Sequence, residues 1–247
     1  MKTSIIIPVY NEKDTIEEIV GRVLKVNLDK EIIIVDDKST DGTSDILRKK
    51  FSNAANVTLV FLEKNRGKGF AIRTGLSYVK GDVVIIQDAD LEYDPNDYVL
   101  LVAPINEHKT SVVYGSRFMR LNTLKYIWSW FISKLKGKAC NIGHIYFSNF
   151  LGIQFLNLLI FMLYGKRITD EATCYKVFKA DVIKKINLKC ERFEFCPEVT
   201  AKVYKAGYDI REVPISYYPR TTEHGKKLSW KDGLVAIAIL IKYRFID

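Results

Sequence analysis

The chain has 247 residues, of which 48% are hydrophobic and 27% are charged. This length can bury a substantial core, and this composition excludes an intrinsically disordered or low-complexity chain. The formal net charge is +9, so the partners to consider are an anionic small molecule, an anionic membrane surface and nucleic acid.

The cysteines indicate a reducing compartment. Cys140, Cys174, Cys190 and Cys196 form no CxxC pair, and no histidine stands near them at a metal-ligand spacing. Scattered thiols of this kind are typical of reduced cysteines in a cytosolic protein. The chain begins with a strand-like apolar run and shows no signal-peptide pattern. We therefore expect a cytoplasmic protein.

The first half of the chain alternates predicted strands and helices. Strands are predicted at TSIIIPV, EIIIVDD, VTLVFLE, DVVIIQD and SVVYGSR. Helices are predicted over residues 12–24, after the turn-like KSTDGT segment to about residue 50, over NRGKGFAIRTGLSYV, and from Pro95 to about residue 106. Near-continuous apolar strands between amphipathic helices predict an α/β fold, with a Rossmann-like, mainly parallel sheet covered by helices on both faces. Ligands bind outside the carboxyl ends of the strands in such sheets.

Beyond Arg117 the pattern changes to long helical segments rich in aromatic residues. Residues 145–164 contain no charged residue, which leaves three alternatives: a buried core helix, a helix lying on a membrane surface, and a transmembrane helix. A basic run without any acid precedes this segment, over residues 117–138. It favours the membrane surface, because anionic headgroups would attract it. The other predicted elements are a strand at CYKVF, a helix over residues 196–205, a strand at YDIREVPI and a helix over residues 230–243.

An acidic cluster follows the fourth predicted strand, in the segment VVIIQDADLEYDP. If the strand continued, Asp88, Asp90, Glu92 and Asp94 would share one face and repel each other unless a cation lay between them. Asp88 and Asp90 suit Mg²⁺ or Mn²⁺ that also binds a diphosphate. Asp94 precedes Pro95 and is expected to begin a helix, so the alternation beyond Asp90 is not expected to be a strand. The alternative is a solvated acidic loop.

A second acidic position, Asp36 and Asp37, ends the second predicted strand. Such an acid can accept hydrogen bonds from a nucleobase or from ribose hydroxyls, or it can serve as a turn and helix cap. The sequence contains no GxGxxG after the first strand and no Walker motif, which argues against a classical dinucleotide or P-loop site. The NRGKG segment by itself is a weak signal.

Considered together, the motifs resemble those of family 2 glycosyltransferases with the GT-A fold. The segments that carry the resemblance are SIIIPVYNE, IIIVDDKSTDGT, NRGKGFAIRTGL, DADLEYDP, GSRF, TDEATCYKVFKADV, FEFCPEVTAK and EVPISYYPRT. Within that family the chain is most similar to polyprenyl-phosphate glycosyltransferases, typified by dolichyl-phosphate mannose synthases. Those enzymes move a sugar from a nucleotide sugar to a lipid phosphate, with inversion at the anomeric carbon.

The resemblance implies roles for individual residues. The nucleoside pocket would be formed by Pro8, Tyr10, Glu12, Val35 and Asp37. The diphosphate and a Mg²⁺ or Mn²⁺ cofactor would be bound by Asp88, Ala89, Asp90 and Glu92, where Glu92 replaces a frequent Gln. The donor diphosphate or the acceptor phosphate would be bound by Arg117, Arg220, and Lys226 or Lys227. The residues expected to be catalytic are Asp90, Arg117 and Arg220.

The nature of the acceptor decides whether a general base is needed. An acceptor phosphate is already an anion, whereas a sugar hydroxyl would have to lose its proton to a base. The candidates for such a base are Asp170, Glu171, Glu194 and Glu198, each of which can instead cap a helix or form an ion pair.

Three functions are therefore compared. The first is metal-dependent transfer of a hexose from a GDP- or UDP-sugar to a polyprenyl phosphate, by a protein peripheral to the inner face of the membrane. Residues 1–247 would form one domain, with a nucleotide-sugar-binding half (1–117) and an acceptor and membrane-facing half (118–247). The second has the same donor chemistry with a saccharide acceptor. The third, a non-catalytic basic module that binds nucleotides or nucleic acid, leaves the periodic acids unexplained, so no nucleic-acid partner is expected.

Overall fold

The computed structural model describes residues 1–119, 147–220 and 230–246. The strands in these ranges are β1 (Thr3–Val9), β2 (Lys30–Asp36), β3 (Val57–Phe61), β4 (Val83–Ile86), β5 (Val112–Ser116), β6 (Lys176–Lys179) and β7 (Ile210–Pro214). The helices are α1 (Ile16–Lys25), α2 (Thr43–Phe51), α3 (Lys68–Leu76), α4 (Tyr98–Asn106), α5 (Phe147–Tyr164), α6 (Ala180–Lys185), α7 (Phe195–Lys205) and α8 (Trp230–Phe245). Most of the basic run, together with Lys226 and Lys227, lies outside the described residues.

Within the described ranges the seven strands form one sheet, in the order β3-β2-β1-β4-β6-β5-β7. The β1–β2, β1–β4, β2–β3 and β5–β7 pairs are parallel. This confirms the predicted α/β class and the mainly parallel sheet. Strand β6 runs antiparallel to both β4 and β5, a direction that the apolar pattern of CYKVF could not reveal.

The central strands are buried on both faces. In β1 the successive residues Ile5, Ile6 and Ile7 are all fully buried, although their side chains point alternately to opposite faces of the sheet. Helix α1 packs its apolar stripe, which includes Ile16 and Ile19, into the same core. Two covered faces leave the edge formed by the strand ends as the place for a ligand.

The charge-free segment forms α5, which packs against α7 and α8. One face of α5 is buried, through Phe150, Leu156, Asn157 and Ile160. The other face exposes large apolar side chains, those of Leu151, Phe155, Leu158, Phe161 and Met162. The described part of the chain thus covers only one side of this helix. In the described ranges there is no helix of sufficient length and apolarity to cross a membrane.

The acidic segment leaves the sheet before its alternation begins. Strand β4 ends at Ile86, and Leu91 adopts a positive φ of 62°, which is incompatible with a continuing strand. Asp94 accepts a hydrogen bond from the N–H of Asn96 and begins a 3₁₀ helix at Pro95–Asp97. Both expectations for this segment are confirmed.

Candidate active site

A cavity of about 910 Å³ lies at the carboxyl edge of the sheet. Its lining includes residues that end or follow β1, β2, β4 and β5. The opposite side is built from α5, α8 and the segment before α7. The cavity therefore lies where the parallel strands predicted it, and the second half of the chain encloses it.

Most of the residues expected to contact the nucleoside line this cavity. They are Pro8, Tyr10, Glu12 and Asp37. Val35 does not line it, because its side chain is fully buried in β2, between Pro8 of β1 and Val60 of β3 in the sheet register. The assignment of Val35 to the nucleoside pocket therefore stays a prediction that its buried side chain does not support.

Asp37 joins the end of β2 to the NRGKG segment. Its two carboxylate oxygens accept hydrogen bonds from the backbone N–H groups of Arg66 (2.8 Å) and Gly67 (2.6 Å). Burial raises the pKa of Asp37, and these two bonds oppose that shift. Gly67 has a φ of 94°, and a Cβ there would lie 2.6 Å from the carbonyl oxygen of Glu191. The glycine is thus required for the turn that brings α3 to the cavity.

Asp88 and Asp90 both line the cavity, and each has a cation beside it. Asp88 Oδ1 lies 2.6 Å from Lys68 Nζ. Asp90 Oδ2 lies 3.8 Å from Arg220 Nη2, and the Arg220 Nε donates to the Asp90 carbonyl oxygen at 2.8 Å. Arg220 Nη2 also donates to Glu12 Oε2 at 2.8 Å. The structure thus brings Arg220 to the acids over 120 positions away in sequence.

Glu92 has partners other than Asp88 and Asp90. Its Oε2 accepts from the Tyr217 hydroxyl at 3.0 Å, and its Oε1 accepts from the Arg220 N–H at 2.9 Å. Glu92 thereby fixes the segment that carries Arg220, which departs from the expected role as a third metal ligand. Among the described residues, no three acidic, histidine or cysteine side chains are grouped so that they could hold a metal.

Two carboxylates are nevertheless a suitable donor set for a hard divalent cation. Mg²⁺ in particular usually takes one or two protein carboxylates and completes its coordination with substrate phosphates and water. Asp88 and Asp90 offer oxygen donors of this kind on the wall of one cavity. The residues present therefore fit Mg²⁺ or Mn²⁺ bound together with a diphosphate.

Arg117 is fixed by a buried partner. Its Nε and Nη2 donate to the two oxygens of Asp170, each at 2.7 Å, and its backbone N–H donates to Asp170 at 2.9 Å. Arg117 lines the cavity, whereas Asp170 is fully buried and does not. Asp170 therefore orients Arg117, and its fully engaged carboxylate is poorly suited to act as a base.

Of the other three candidate bases, only Glu171 lines the cavity. It is 1% exposed, its Oε1 has no hydrogen-bond partner among the described residues, and burial raises its pKa. Glu194 accepts from the N–H of Glu191 just before α7. Glu198 is buried and binds Lys202 and the N–H of Lys189. Glu194 and Glu198 thus have structural partners away from the cavity.

Sequence reasoning did not assign several residues that the structure brings to the cavity. Lys68 belongs to the NRGKG segment, which by itself was only a weak indication of a binding site. The sequence did not show that Lys68 pairs with Asp88. Tyr217 lies three residues before the expected Arg220, but nothing in the sequence indicated its contact with Glu92. An apolar side of the cavity was also missed; its members include Ile153, Phe155, Leu156, Phe193, Leu234 and Ile237.

Comparison with known proteins identifies relatives across the chain. A family model described as "Glycosyl transferase family 2" matches residues 4–186. The chain is 31% identical over 228 residues to the UDP-N-acetylglucosamine–dolichyl-phosphate N-acetylglucosaminyltransferase of Methanococcus voltae, covering 85% of this chain and 83% of that protein. It is 30% identical over 244 residues to the undecaprenyl-phosphate 4-deoxy-4-formamido-L-arabinose transferase of Edwardsiella ictaluri. That match covers 96% of this chain but only 65% of the relative.

Among solved structures, the chain is similar to glucosyl-3-phosphoglycerate synthase from Mycobacterium tuberculosis in complex with Mn²⁺, UDP-glucose and phosphoglyceric acid. The TM-score is 0.67 at 18% identity, and the match covers 100% of this chain and 80% of that one. At this identity the similarity concerns the fold, and it agrees with the predicted GT-A architecture.

Proposed function

The chain belongs to glycosyl transferase family 2, and we propose that it transfers a hexose from a nucleotide sugar to a polyprenyl phosphate. The observation that carries this proposal is that one cavity has two chemically different sides. We call Lys68, Asp88, Asp90, Arg117 and Arg220 the charged wall, and Ile153, Phe155, Leu156, Leu234 and Ile237 the apolar wall; all of them line the cavity. A polyprenyl phosphate has the same division, with an anionic head and a hydrocarbon tail. The two curated relatives named above act, by their names, on dolichyl or undecaprenyl phosphate.

The charged wall is suited to a nucleoside diphosphate as leaving group. Negative charge develops on the diphosphate as the glycosidic bond breaks, and fixed cations stabilise it. Arg220 is held by Glu12 and by the Asp90 carbonyl, so its guanidinium is already oriented. When bound by Asp88 and Asp90, Mg²⁺ or Mn²⁺ would supply further stabilisation of that charge.

Arg117 is the cation that we assign to the acceptor phosphate. Asp170 holds it through two parallel hydrogen bonds, which lowers the conformational entropy lost when it binds an anion. An acceptor phosphate attacks as an anion and needs no general base. Attack from the face opposite the leaving diphosphate would invert the anomeric carbon.

We assign the protein to the periphery of the inner membrane face. The outer surfaces of α5 and α8 support this assignment, since they expose apolar side chains that do not line the cavity, including Leu158, Met162, Val235 and Ile241. An acceptor entering from the bilayer would meet these helices and the apolar wall together.

A second candidate function, transfer to a saccharide hydroxyl, is supported by Glu171. Its buried Oε1, which has no hydrogen-bond partner within the described ranges, and its raised pKa are properties of a general base. This candidate requires that Glu171→Gln abolish transfer, whereas transfer to a phosphate retains most of its rate in that variant.

To test the proposal, radiolabelled GDP- and UDP-sugars are incubated with the protein, Mn²⁺, a short polyprenyl phosphate and an oligosaccharide as competing acceptor. The expected product is label that partitions into butanol. Asp90→Ala should lower the rate by at least about 10²-fold, as for the loss of one stabilising group at a developing charge. Asp94→Ala is the matched control, because Asp94 caps the 3₁₀ helix and does not line the cavity. Label found only in a water-soluble saccharide would contradict the first function and support the second.

A further inference from the structure

Lys68 occupies an unusual position for a cation. It is the first residue of α3, where the positive end of the helix dipole disfavours a positive side chain. Its ammonium is only partly exposed and faces the Asp88 carboxylate. The interaction with Asp88 therefore offsets both the helix dipole and the loss of water around Lys68.

The ammonium of Lys68 takes the place on Asp88 that a divalent cation would need. Lys68 Nζ lies 2.6 Å from Asp88 Oδ1, and the two side chains are 19% and 20% exposed. At this distance and in this partly desolvated setting, the pair is stronger than a surface ion pair. A metal ion that arrives alone must compete with Lys68 for the same carboxylate.

A nucleoside diphosphate changes this balance. Its phosphate oxygens can accept hydrogen bonds from the ammonium of Lys68. The four-carbon side chain of lysine is flexible, and its three N–H groups can be directed to different acceptors. Lys68 and Asp88 both line the cavity, so the diphosphate can reach both. Each positive group then has an anionic partner, and no buried charge is left uncompensated.

We propose that Lys68 is a positioning residue that couples metal binding to donor binding, by holding Asp88 until a nucleoside diphosphate offers its ammonium another partner. Asp88 then becomes available to the divalent cation. This inference rests on the proposed function, since it takes the charged wall as the donor site. It implies that Mn²⁺ alone binds weakly and that Mn²⁺ and the nucleotide strengthen each other's binding.

The test measures Mn²⁺ binding to the full chain from the electron paramagnetic resonance signal of free Mn²⁺, first alone and then with UDP or GDP. Lys68→Met removes the charge and retains most of the side-chain length. Lys64→Met is the matched control, because Lys64 is exposed and does not line the cavity. We expect Lys68→Met to bind Mn²⁺ alone about tenfold tighter than the wild type, and to gain less affinity when the nucleotide is added. Lys64→Met should behave as the wild type does.

A purely structural role for the ion pair would give another result. Lys68→Met would then melt at a lower temperature but bind Mn²⁺ alone no tighter than the wild type, and this outcome would overturn the inference. Lys68→Gln, checked for native circular dichroism, repeats the measurement if Lys68→Met does not fold. If the wild type shows nucleotide-coupled Mn²⁺ binding and both variants retain the same coupling, the inference fails while the proposed function stands. If the wild type binds no Mn²⁺ with either nucleotide, both fail.

Discussion

Asp170 and Glu171 are adjacent carboxylates with opposite environments. Asp170 is fully buried, and Arg117 engages both of its oxygens. Glu171 is as deeply buried, but its Oε1 has no hydrogen-bond partner among the described residues. Because burial without a partner penalises the charged form of a carboxyl group, the carboxyl group of Glu171 resists ionisation, whereas its neighbour in sequence, Asp170, orients Arg117.

The stability of the protein should therefore depend on pH through Glu171. Burial is the largest influence on its pKa and raises it; the charge of Asp170 raises it further, and Lys176 and Arg117 lower it. Between the ordinary pKa and the raised one, the folded state binds more protons than the unfolded state, so Glu171 costs stability as the pH rises through that window. Glu171→Gln should thus melt at a higher temperature than the wild type at pH 8, and the difference should shrink as the pH is lowered to 5.

Thermal unfolding followed by circular dichroism measures this difference. Each 1 kcal/mol recovered corresponds to a rise of about 2–4 °C in a chain of this size. Glu194→Gln is the control, because that carboxylate lies outside the cavity and accepts a hydrogen bond from the N–H of Glu191. A difference that is independent of pH, or that grows as the pH falls, would contradict the assigned environment of Glu171.

At the scale of elements, the sequence predicted the type and approximate bounds of most strands and helices. The alternation of TSIIIPV, EIIIVDD and DVVIIQD with amphipathic helices was sufficient, because continuous apolar strands require a sheet covered on both sides. The same pattern could not predict that β6 lies between β4 and β5 and runs antiparallel to them, since strand direction depends on contacts between distant segments. For the same reason the sequence could not predict that Lys68 pairs with Asp88 or that Glu92 pairs with Tyr217.

The charge-free segment shows this limit most clearly. Its apolar residues are spread over all faces of the helix, so the sequence could not distinguish the buried face of α5 from the exposed one. The structure distinguishes them: Asn157 on the buried face donates to the carbonyl of Thr169 and accepts from the N–H of Glu171. These two hydrogen bonds anchor α5 to the segment that carries the candidate base, Glu171.

The exposed apolar face of α5 should bind lipid. We expect the wild type to sediment with vesicles that contain anionic phospholipid, and we expect Leu158→Asp combined with Met162→Asp to weaken this binding by at least about tenfold. Both side chains are more than half exposed and neither lines the cavity, and a charge at such a position opposes insertion into the interface. Tyr78→Asp is the control, at an exposed aromatic residue near the end of α3. Equal sedimentation of all three proteins would contradict the membrane-facing role of α5.

At the scale of the whole molecule, the two halves of the chain contribute different chemistry to one cavity. The first half supplies Asp88, Asp90 and Lys68 at the edge of a sheet. The second half supplies Arg220 together with the helices that form the apolar wall. A ligand that is anionic at one end and apolar at the other would use both halves, which is the basis for proposing a lipid phosphate as acceptor.

The most direct test of this account is the dependence of kcat/KM on the length of the acceptor's tail, measured with one labelled nucleotide sugar and Mn²⁺. If the apolar wall binds the tail, kcat/KM should rise by up to about 15-fold for every two methylene groups that become buried, until the wall is covered. A phosphate with a one-carbon tail should be a poor acceptor. Equal kcat/KM for that short phosphate and for a polyprenyl phosphate would contradict the claim that the charged and apolar walls bind one lipid acceptor.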